Sequence, residues 1–286
     1  TEFLPVSSSA HLIFTEEIGR LLGAQTAESM IEAEFYDILL HIATLVAVIY
    51  YFRADLSALL SGLSKPQRNK PNNPSPFFFI VSVGITTCVT VAFSLTMIQG
   101  SGFVMDTMGW STETVGDLSD FYRANPMWVG IHLIITGCLL FFTESMSTKY
   151  QNHPRASTTG SYPNITIKRA IIVGLFQGIA AIFRGISRSG STISGGLAAG
   201  MDRVSATRYA FLISIPVFIL APLYELYKLR AHDFSLESLN WTAMLIGCAV
   251  CVIVAYFCVK YFVQFVARHS LKVFSYYCWS VGLIMA

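Results

Sequence analysis

Two short polar segments of this sequence carry side chains that can bind or attack an anion. One is centred on Arg188 and adds hydroxyls and glycines at Ser187, Ser189, Gly190, Ser191 and Thr192. Arginine is always charged, and its planar guanidinium matches two phosphate oxygens at once. Glycine and serine at a helix N-terminus bring backbone N–H donors towards the same ligand. The segment therefore predicts an anion site with Arg188 at its centre.

The other segment lies at the start of the chain and carries groups suited to acid–base or nucleophilic chemistry. Glu2, Ser8 and His11 follow one another closely there. A histidine near a carboxylate and a hydroxyl is suited to proton transfer, and we favour that role over a purely interfacial histidine. Alternatively, Glu2 is simply a charged side chain near the start of the sequence. His41 lies inside an apolar stretch and is interpreted as a packing residue or as support for the site.

Packing is the alternative explanation for the hydroxyls. Serine and glycine are common where membrane helices approach closely, so each serine taken singly is explained at least as well by packing. No helix contact requires an arginine, and ionisable groups at membrane depth are costly. The presence of Arg188 therefore favours an anion-binding site over helix packing as the explanation of this segment.

The composition places these segments in a membrane protein. Only 13% of the 286 residues are charged and 53% are hydrophobic, whereas soluble domains carry about 25% charged residues. The mean hydropathy is +0.56. These values exclude disorder, coiled coil and collagen. A net charge of +2 without a basic run argues against a nucleic-acid partner.

Six apolar stretches are candidates for membrane-spanning helices, since crossing the hydrocarbon core takes about 20 residues. They cover roughly 38–52, 77–98, 127–143, 210–223, 241–259 and 273–286. The loops between them alternate between basic and acidic. Because basic loops remain in the cytoplasm, this alternation predicts the orientation of every span.

Two further apolar stretches, 3–15 and 170–183, are too short to span and indicate re-entrant segments. The loop charges require the first to begin and end outside and the second to begin and end inside. We therefore predict an all-α polytopic membrane protein with an inverted-topology repeat. Each half consists of a re-entrant helical segment plus three transmembrane helices.

The repeat also predicts the domain organisation. A single membrane domain, 1–286, contains repeat 1 at about 1–147 and repeat 2 at about 170–286. A basic cytoplasmic loop, 148–169, links them. The polar segments fall at corresponding places in the two repeats, because Ser7 and Ser187 are 180 positions apart (187 minus 7).

Three stretches resemble a known family. Residues 1–12, TEFLPVSSSAHL, and residues 185–193, GISRSGSTI, resemble the two motifs of the BacA-type undecaprenyl-diphosphate phosphatases. Residues 40–48, LHIATLVAV, resemble the stretch between those motifs. The resemblance covers nearly the whole chain.

The resemblance implies an activity. Such enzymes remove the terminal phosphate of undecaprenyl diphosphate and return the carrier lipid to cell-wall synthesis. It also implies inverted repeats, a divalent cation (Mg²⁺ or Ca²⁺), and a place in the cell membrane with the active site opening to the extracytoplasmic side. The expected partners are the prenyl diphosphate substrate and membrane lipids.

The resemblance also implies roles for residues. Glu2 matches the second glutamate of the family's E-x-x-x-E pair, linked to metal and catalysis, and Ser8 and His11 match the catalytic serine and histidine. Ser187, Arg188 and Thr192 match phosphate-binding residues, and Ser189 and Gly190 lie between them. The first glutamate of the pair would precede Thr1. Arg184 replaces the family's proline, which either adds a phosphate contact or disturbs the turn.

Several alternatives stay open at this point. The nucleophile is Ser8, His11 or water, with His11 as general base where Ser8 attacks. A transporter or flippase of an anionic lipid or small anion would use the same arginine and serines. A protein that binds the diphosphate without hydrolysing it is a third reading, prompted by Arg184. A homodimer is permitted by the small residues Gly196 and Gly200 but is not established by them.

Overall fold

The computed structural model describes residues 1–22, 30–63, 76–107, 122, 125–147, 165–229 and 240–286. These residues form ten α-helices and no strand. The helices are α1 (Ser8–Leu21), α2 (Met30–Tyr51), α3 (Arg53–Leu63), α4 (Pro76–Thr107), α5 (Pro126–Ser147), α6 (Ile167–Ile182), α7 (Arg188–Ala198), α8 (Arg203–Leu229), α9 (Trp241–Arg268) and α10 (Lys272–Met285). The prediction of an all-α protein is confirmed for this part of the chain.

Four helices contain stretches long and apolar enough to cross a membrane. They are Phe77–Thr96, Pro126–Met146, Arg203–Tyr224 and Trp241–Arg268. They coincide with four of the six predicted spans, and the chain is a multi-pass membrane protein.

The other two predicted spans fall on helices that are not among these four. The one at 38–52 falls on α2, whose stretch Phe35–Tyr51 bends by 68° into Arg53–Ser61; the two helices make a fifth span only if taken as one. The one at 273–286 falls on α10, which has 14 residues.

The stretch predicted to be re-entrant at 170–183 is the first arm of a helical hairpin made by α6 and α7. Arg169, at the start of α6, donates from Nε to Ala199 O at 3.3 Å and from Nη2 to Gly200 O at 3.1 Å, at the end of α7. The two helices are therefore antiparallel, and the hairpin begins and ends on the same side of the molecule. With 16 and 11 residues, neither arm is long enough to span.

Helix α6 is held against α4 by a ladder of hydroxyls. Thr86 donates to Ala170 O at 3.0 Å and Thr90 to Gly174 O at 3.1 Å, and Ser94 contacts Gly178 O at 3.4 Å. The spacing of four residues on both helices means that they run parallel, with one contact per turn. Small residues on α6 allow this close approach, as is usual between membrane helices.

The first polar segment is anchored by Phe3, whose side chain is only 3% exposed. Its ring packs edge-on against Phe211, with centroids 5.6 Å apart, and against Phe218 at 6.2 Å. Both partners lie on α8. The core thereby fixes the backbone next to Glu2, although this segment is not part of a helix.

Ion pairs join several helix ends at one end of the molecule. Arg208 of α8 donates to Asp55 of α3 at 2.7 Å. Arg203, at the start of α8, lies 2.5 Å from Glu144 near the end of α5, and Ser270 between α9 and α10 donates to the same carboxylate at 3.0 Å. These are ends that the loop charges predict to face inside. Residues 148–164 of the predicted linker lie outside the described residues.

Candidate functional site

The second polar segment forms the turn between α6 and α7 and the start of α7. Gly185 has a φ of +98°, a conformation that glycine adopts without strain. A Cβ at this position would come within 2.6 Å of Val129 O, so a side chain is excluded on two grounds. Ser187 then caps α7, because its Oγ accepts from the N–H of Gly190 at 3.1 Å.

Helix α5 holds this turn in place through two side chains. His132 donates from Nδ1 to Arg184 O at 2.8 Å, and Thr136 Oγ1 accepts from the N–H of Ser187 at 3.0 Å. The turn therefore forms with Arg184 in place of proline. The disturbance of this turn that Arg184 suggested is not seen.

The first polar segment starts α1 with the same kind of cap. Ser7 Oγ accepts from the N–H of Ala10 at 3.3 Å. Ser7 has a φ of +64° and is the only non-glycine residue with a positive φ in the described ranges. Its carbonyl accepts from His11 Nδ1 at 2.8 Å.

The starts of α1 and α7 contact each other reciprocally. Ser9 Oγ accepts from the N–H of Gly185 at 3.3 Å, and Ser189 Oγ donates to Leu4 O at 2.9 Å. Ser9 therefore binds the peptide group between Arg184 and Gly185, and Ser189 binds the corresponding peptide group between Leu4 and Pro5. These two bonds bring together residues that are 176 and 185 positions apart in the sequence.

Glu2 and Arg188 form an ion pair at this junction, from Arg188 Nη2 to Glu2 Oε1. Their side chains are 15% and 22% exposed, so the pair is shielded from bulk water on most sides. His41 Nε2 lies 4.0 Å from the same carboxylate, and the hydroxyl of Ser8 lies beside it. The guanidinium carbon of Arg188 stands 4.3 Å from the centroid of the Phe218 ring.

A small, partly enclosed cavity adjoins the ion pair. Its polar lining residues are Glu2, Gln177, Arg188, Ser189, Thr192 and Ser214. Four of these six were predicted as site residues. Ser187 and Gly190 instead form the helix cap and do not line the cavity.

Most hydroxyls at the site already have partners in this structure. Thr192 Oγ1 donates to Arg188 O at 2.9 Å or Ser189 O at 3.1 Å, and Ser187 and Ser189 contact each other at 3.2 Å. Arg188, with five N–H donors of which one is used in the pair, has the largest unused donor capacity. The site is therefore centred on Arg188 more strongly than the residue pattern alone indicated.

His11 lies on α1 one turn after Ser8, and its ring is turned towards α10. Because Nδ1 faces a carbonyl, it carries the proton, and Nε2 accepts from the hydroxyl of Tyr277 at 2.7 Å. The two rings stack with centroids 5.6 Å apart. His11 is not among the residues lining the cavity.

Residues at or near the site that were not predicted include Gln177, Ser214, Phe218 and Tyr277, whereas His41 was interpreted as packing or support. Gln177 is 1% exposed, and its Oε1 has no hydrogen-bond partner among the described residues. It is the one polar side chain between 170 and 182, which was an available signal. Phe218 and Tyr277 gave none, because one aromatic side chain in an apolar stretch resembles any other.

The donor set allows one kind of metal site. No group of three or more His, Cys, Asp or Glu comes together in the part of the chain that the structure describes. Glu2 is the single carboxylate at the cavity. Mg²⁺ is commonly held by one or two carboxylates together with the phosphate oxygens of its substrate. The residues present fit a cation shared with a diphosphate, and they do not form a complete cage.

Comparisons with known proteins agree over the full length. The model of a family described as bacitracin resistance protein BacA matches residues 1–284. A protein of Halothermothrix orenii named undecaprenyl-diphosphatase is 34% identical over 288 aligned positions, covering 100% of this chain and 92% of that protein. Proteins of the same name from Methanobrevibacter smithii and Campylobacter curvus are each 30% identical, covering 100% of this chain and 91% and 92% of their own lengths.

Proposed function

The chain belongs to the family of bacitracin resistance protein BacA, and on that premise we propose that it hydrolyses undecaprenyl diphosphate to undecaprenyl phosphate and inorganic phosphate. The reaction returns the carrier lipid to cell-wall synthesis. The observation that carries the proposal is the shielded pair of Glu2 and Arg188 at the start of α7, beside a cavity lined by hydroxyls.

Arg188 is proposed as the clamp for the terminal phosphate. Its guanidinium can bind two phosphate oxygens in its own plane, and Thr192, Ser189 and the N–H groups at the start of α7 add donors and a favourable helix dipole. Ser187 and Gly190 support this arrangement by forming the cap. Charge that develops on the phosphoryl oxygens in the transition state is stabilised by the same groups.

Ser8 is proposed as the nucleophile, because its hydroxyl lies beside Glu2, whereas the ring of His11 is engaged with Tyr277. The Oγ of Ser8 forms a bond to the terminal phosphorus while the bond to the bridging oxygen breaks, and undecaprenyl phosphate leaves. His11 Nε2 accepts the proton of the hydroxyl after exchanging its hydrogen bond with Tyr277 for one with Ser8. Water then hydrolyses the phosphoserine and releases inorganic phosphate.

Trapping the intermediate separates the two candidate nucleophiles. Rapid acid quenching during turnover, followed by peptide mass spectrometry, is expected to find phosphate on Ser8. Phosphate on His11 in alkali-quenched samples would make the histidine the nucleophile and would contradict the scheme.

A divalent cation, Mg²⁺ or Ca²⁺, is proposed as a cofactor that Glu2 would help to hold when substrate is bound. When bound, it supplies charge neutralisation for the leaving phosphate. Because Glu2 is the only protein carboxylate at the cavity, Glu2→Gln should abolish cation binding measured by calorimetry in the presence of a non-hydrolysable diphosphate analogue. Unchanged binding would exclude this position.

The inverted repeat is proposed on corresponding contacts in the two halves. Ser7 and Ser187 both accept from the N–H three residues later, and each contacts the serine two residues later at 3.2 Å. Repeat 1 at about 1–147 and repeat 2 at about 170–286 would each contribute one helix start to the site. Paired short helices of this kind are typical of a binding site near the membrane midplane.

The protein is proposed to lie in the cell membrane with the site opening to the extracytoplasmic side. In a variant without native cysteines, a cysteine at Asn240 should react with an impermeant maleimide in intact cells, and one at Ser61 should react only after lysis. Both positions are exposed and lie at ends with opposite predicted sidedness. The reverse labelling pattern would contradict the orientation.

Phosphate release from a short prenyl diphosphate tests the central proposal. The purified chain in detergent should release phosphate with Mg²⁺, and chelator or Arg188→Ala should reduce release by at least about a hundredfold, as expected for loss of a charged transition-state contact. Arg53→Ala is the matched control, since Arg53 is exposed and its contacts among the described residues include the carbonyl and ring of Tyr50, away from the site.

Binding without release would contradict the phosphatase proposal. Transport of a labelled prenyl phosphate across vesicles by the same preparation would then favour the transporter, which the paired helix starts also suit. Binding alone would favour a non-hydrolysing protein, and Arg184→Pro would show whether Arg184 is the cause.

A further inference from the structure

Arg188 has a second partner besides Glu2. The face of its guanidinium lies over the ring of Phe218, with the guanidinium carbon 4.3 Å from the ring centroid. Glu2 binds at the N–H edge, at Nη2. The edge and the face of a guanidinium are independent binding surfaces, because all five N–H groups lie in its plane. A phosphate that takes the edge can therefore leave the ring contact intact.

Phe218 is itself held firmly. Its side chain is 2% exposed, and it lies on α8 two residues after Pro216, one of two prolines inside that helix. The ring meets Phe3 edge-on at 6.2 Å and His41 at 5.9 Å with a tilt of 54°. The buried ring of Phe218 therefore contacts three residues around the ion pair. They are Arg188 itself, Phe3, which follows Glu2 in the chain, and His41, whose Nε2 lies 4.0 Å from the Glu2 carboxylate.

The two partners of Arg188 respond differently when substrate arrives. Glu2 is charged, so it competes with a diphosphate for the guanidinium edge and would also be drawn towards a cation. Phe218 is neutral and does not compete. In a desolvated site a cation over an aromatic face is attracted by the negative potential of the ring. The ring is therefore the contact that persists through the exchange of Glu2 for phosphate.

We propose that Phe218 is a positioning residue of the phosphate site. Its ring holds the face of the Arg188 guanidinium, so that the N–H edge of the guanidinium stays directed at the terminal phosphate after Glu2 has dissociated from it. The inference rests on the proposed function for the identity of the anion, and its geometry rests on the ring contacts alone. It does not require Phe218 to touch the substrate.

A series of fluorinated phenylalanines at position 218 tests the proposal. Each added fluorine lowers the negative potential of the ring face with little change in its shape. Affinity for a methylene-bridged, non-hydrolysable farnesyl diphosphate analogue should fall stepwise, by about tenfold in total for the trifluoro ring. The thermal unfolding midpoint should stay constant across the series. A flat affinity series would overturn the proposal, because a purely structural role depends on shape.

Two conventional variants provide the control. Phe218→Leu should raise KM for prenyl diphosphate by about tenfold or more with a smaller change in kcat, and Phe218→Trp should restore part of the loss. Phe262→Leu removes an equally buried ring, also 2% exposed, that packs on Phe211 and Phe274. It should lower the thermal midpoint and leave KM unchanged. Equal KM values for the two leucine variants would contradict the positioning role.

The two proposals fail in different ways. Wild-type protein that binds the analogue and releases no phosphate contradicts the phosphatase function, while the fluorinated series still decides the role of Phe218. Wild-type protein that releases phosphate with a flat series retains the function and rejects the positioning role. Protein that does not bind the analogue rejects both.

Discussion

Arg188 contacts partners from two other parts of the chain. It begins α7, Glu2 precedes α1, and Phe218 lies on α8. A buried ion pair of this kind is weak evidence of stabilisation, because desolvation of two charges offsets their attraction. Under the proposed function, the arginine would exchange this carboxylate for a phosphate. Gln177 and Tyr277 supply two further tests at this scale.

Gln177→Leu should stabilise the protein while weakening its activity. The buried Oε1 of Gln177 has no partner among the described residues, and an unsatisfied buried acceptor costs about 1–3 kcal/mol. Leucine of similar size removes that cost and also removes an amide from the cavity. Thermal unfolding should therefore shift upward as phosphate release falls. A lower midpoint would indicate that Gln177 is satisfied by a contact in the free protein.

Tyr277→Phe should lower kcat about threefold to tenfold with little change in KM, because a hydrogen bond worth roughly 1 kcal/mol no longer orients the ring of His11. Tyr276→Phe, which removes a hydroxyl from the neighbouring residue, is the control. Steady-state kinetics of both variants measure the difference. Equal kcat values would show that Tyr277 does not act through His11.

At the scale of the elements, the site is built where two helices begin. Serine caps at Ser7 and Ser187 start α1 and α7, and the reciprocal contacts of Ser9 and Ser189 join the two starts. Helix starts leave N–H groups without partners inside the helix, and these attract anions. The turn before α7 is held in place by hydrogen bonds to α5, and substitutions of Thr136 test how much the site depends on them.

Thr136→Val should impair the site from a distance. It leaves the buried N–H of Ser187 without the acceptor that now lies at 3.0 Å, which costs about 1–3 kcal/mol. Both the thermal midpoint and the phosphate release should fall. Thr136→Ser keeps the hydroxyl and should restore most of both. A serine variant as impaired as the valine variant would assign the effect to the lost methyl group instead.

At the scale of the whole molecule, the site and the ion pairs that involve Arg203 and Arg208 lie in different places along α8. Phe218 reaches the site from the second half of the helix, while Arg203 and Arg208 in its first two turns bind Glu144 of α5 and Asp55 of α3. One long helix therefore connects the site to the end of the molecule that the loop charges predict to face inside. The two ion pairs differ in burial, which makes their contributions separable.

Glu144→Ala should destabilise the protein far more than Asp55→Ala. The Glu144 side chain is fully buried and the Asp55 side chain is 24% exposed. Removing a fully buried charge leaves its partner uncompensated and costs about 3–5 kcal/mol, whereas a partly exposed pair is screened by water and costs less to break. Chemical unfolding in detergent measures both. Similar losses would mean that Arg203 finds another partner when Glu144 is removed.

Much of the molecule was predictable from local properties of the sequence. Long apolar stretches predicted four spans, because the hydrocarbon core imposes a minimum length that composition reveals directly. Arg188 among glycines and serines predicted an anion site, and the motifs around Glu2 and Arg188 predicted the family. The sixth predicted span, 273–286, coincides with α10 (Lys272–Met285) to within one residue at each end.

Contacts between distant residues were decided by tertiary structure alone. Nothing local in Phe218 distinguishes it from the other phenylalanines of this chain, and only the packing of α8 against Phe3 brings its ring beneath Arg188. The orientation of His11 towards Tyr277 likewise depends on where α10 lies. Residue type and spacing determine which chemistry a segment can perform. Which partner each group meets depends on long-range packing, and that information is spread over the whole chain.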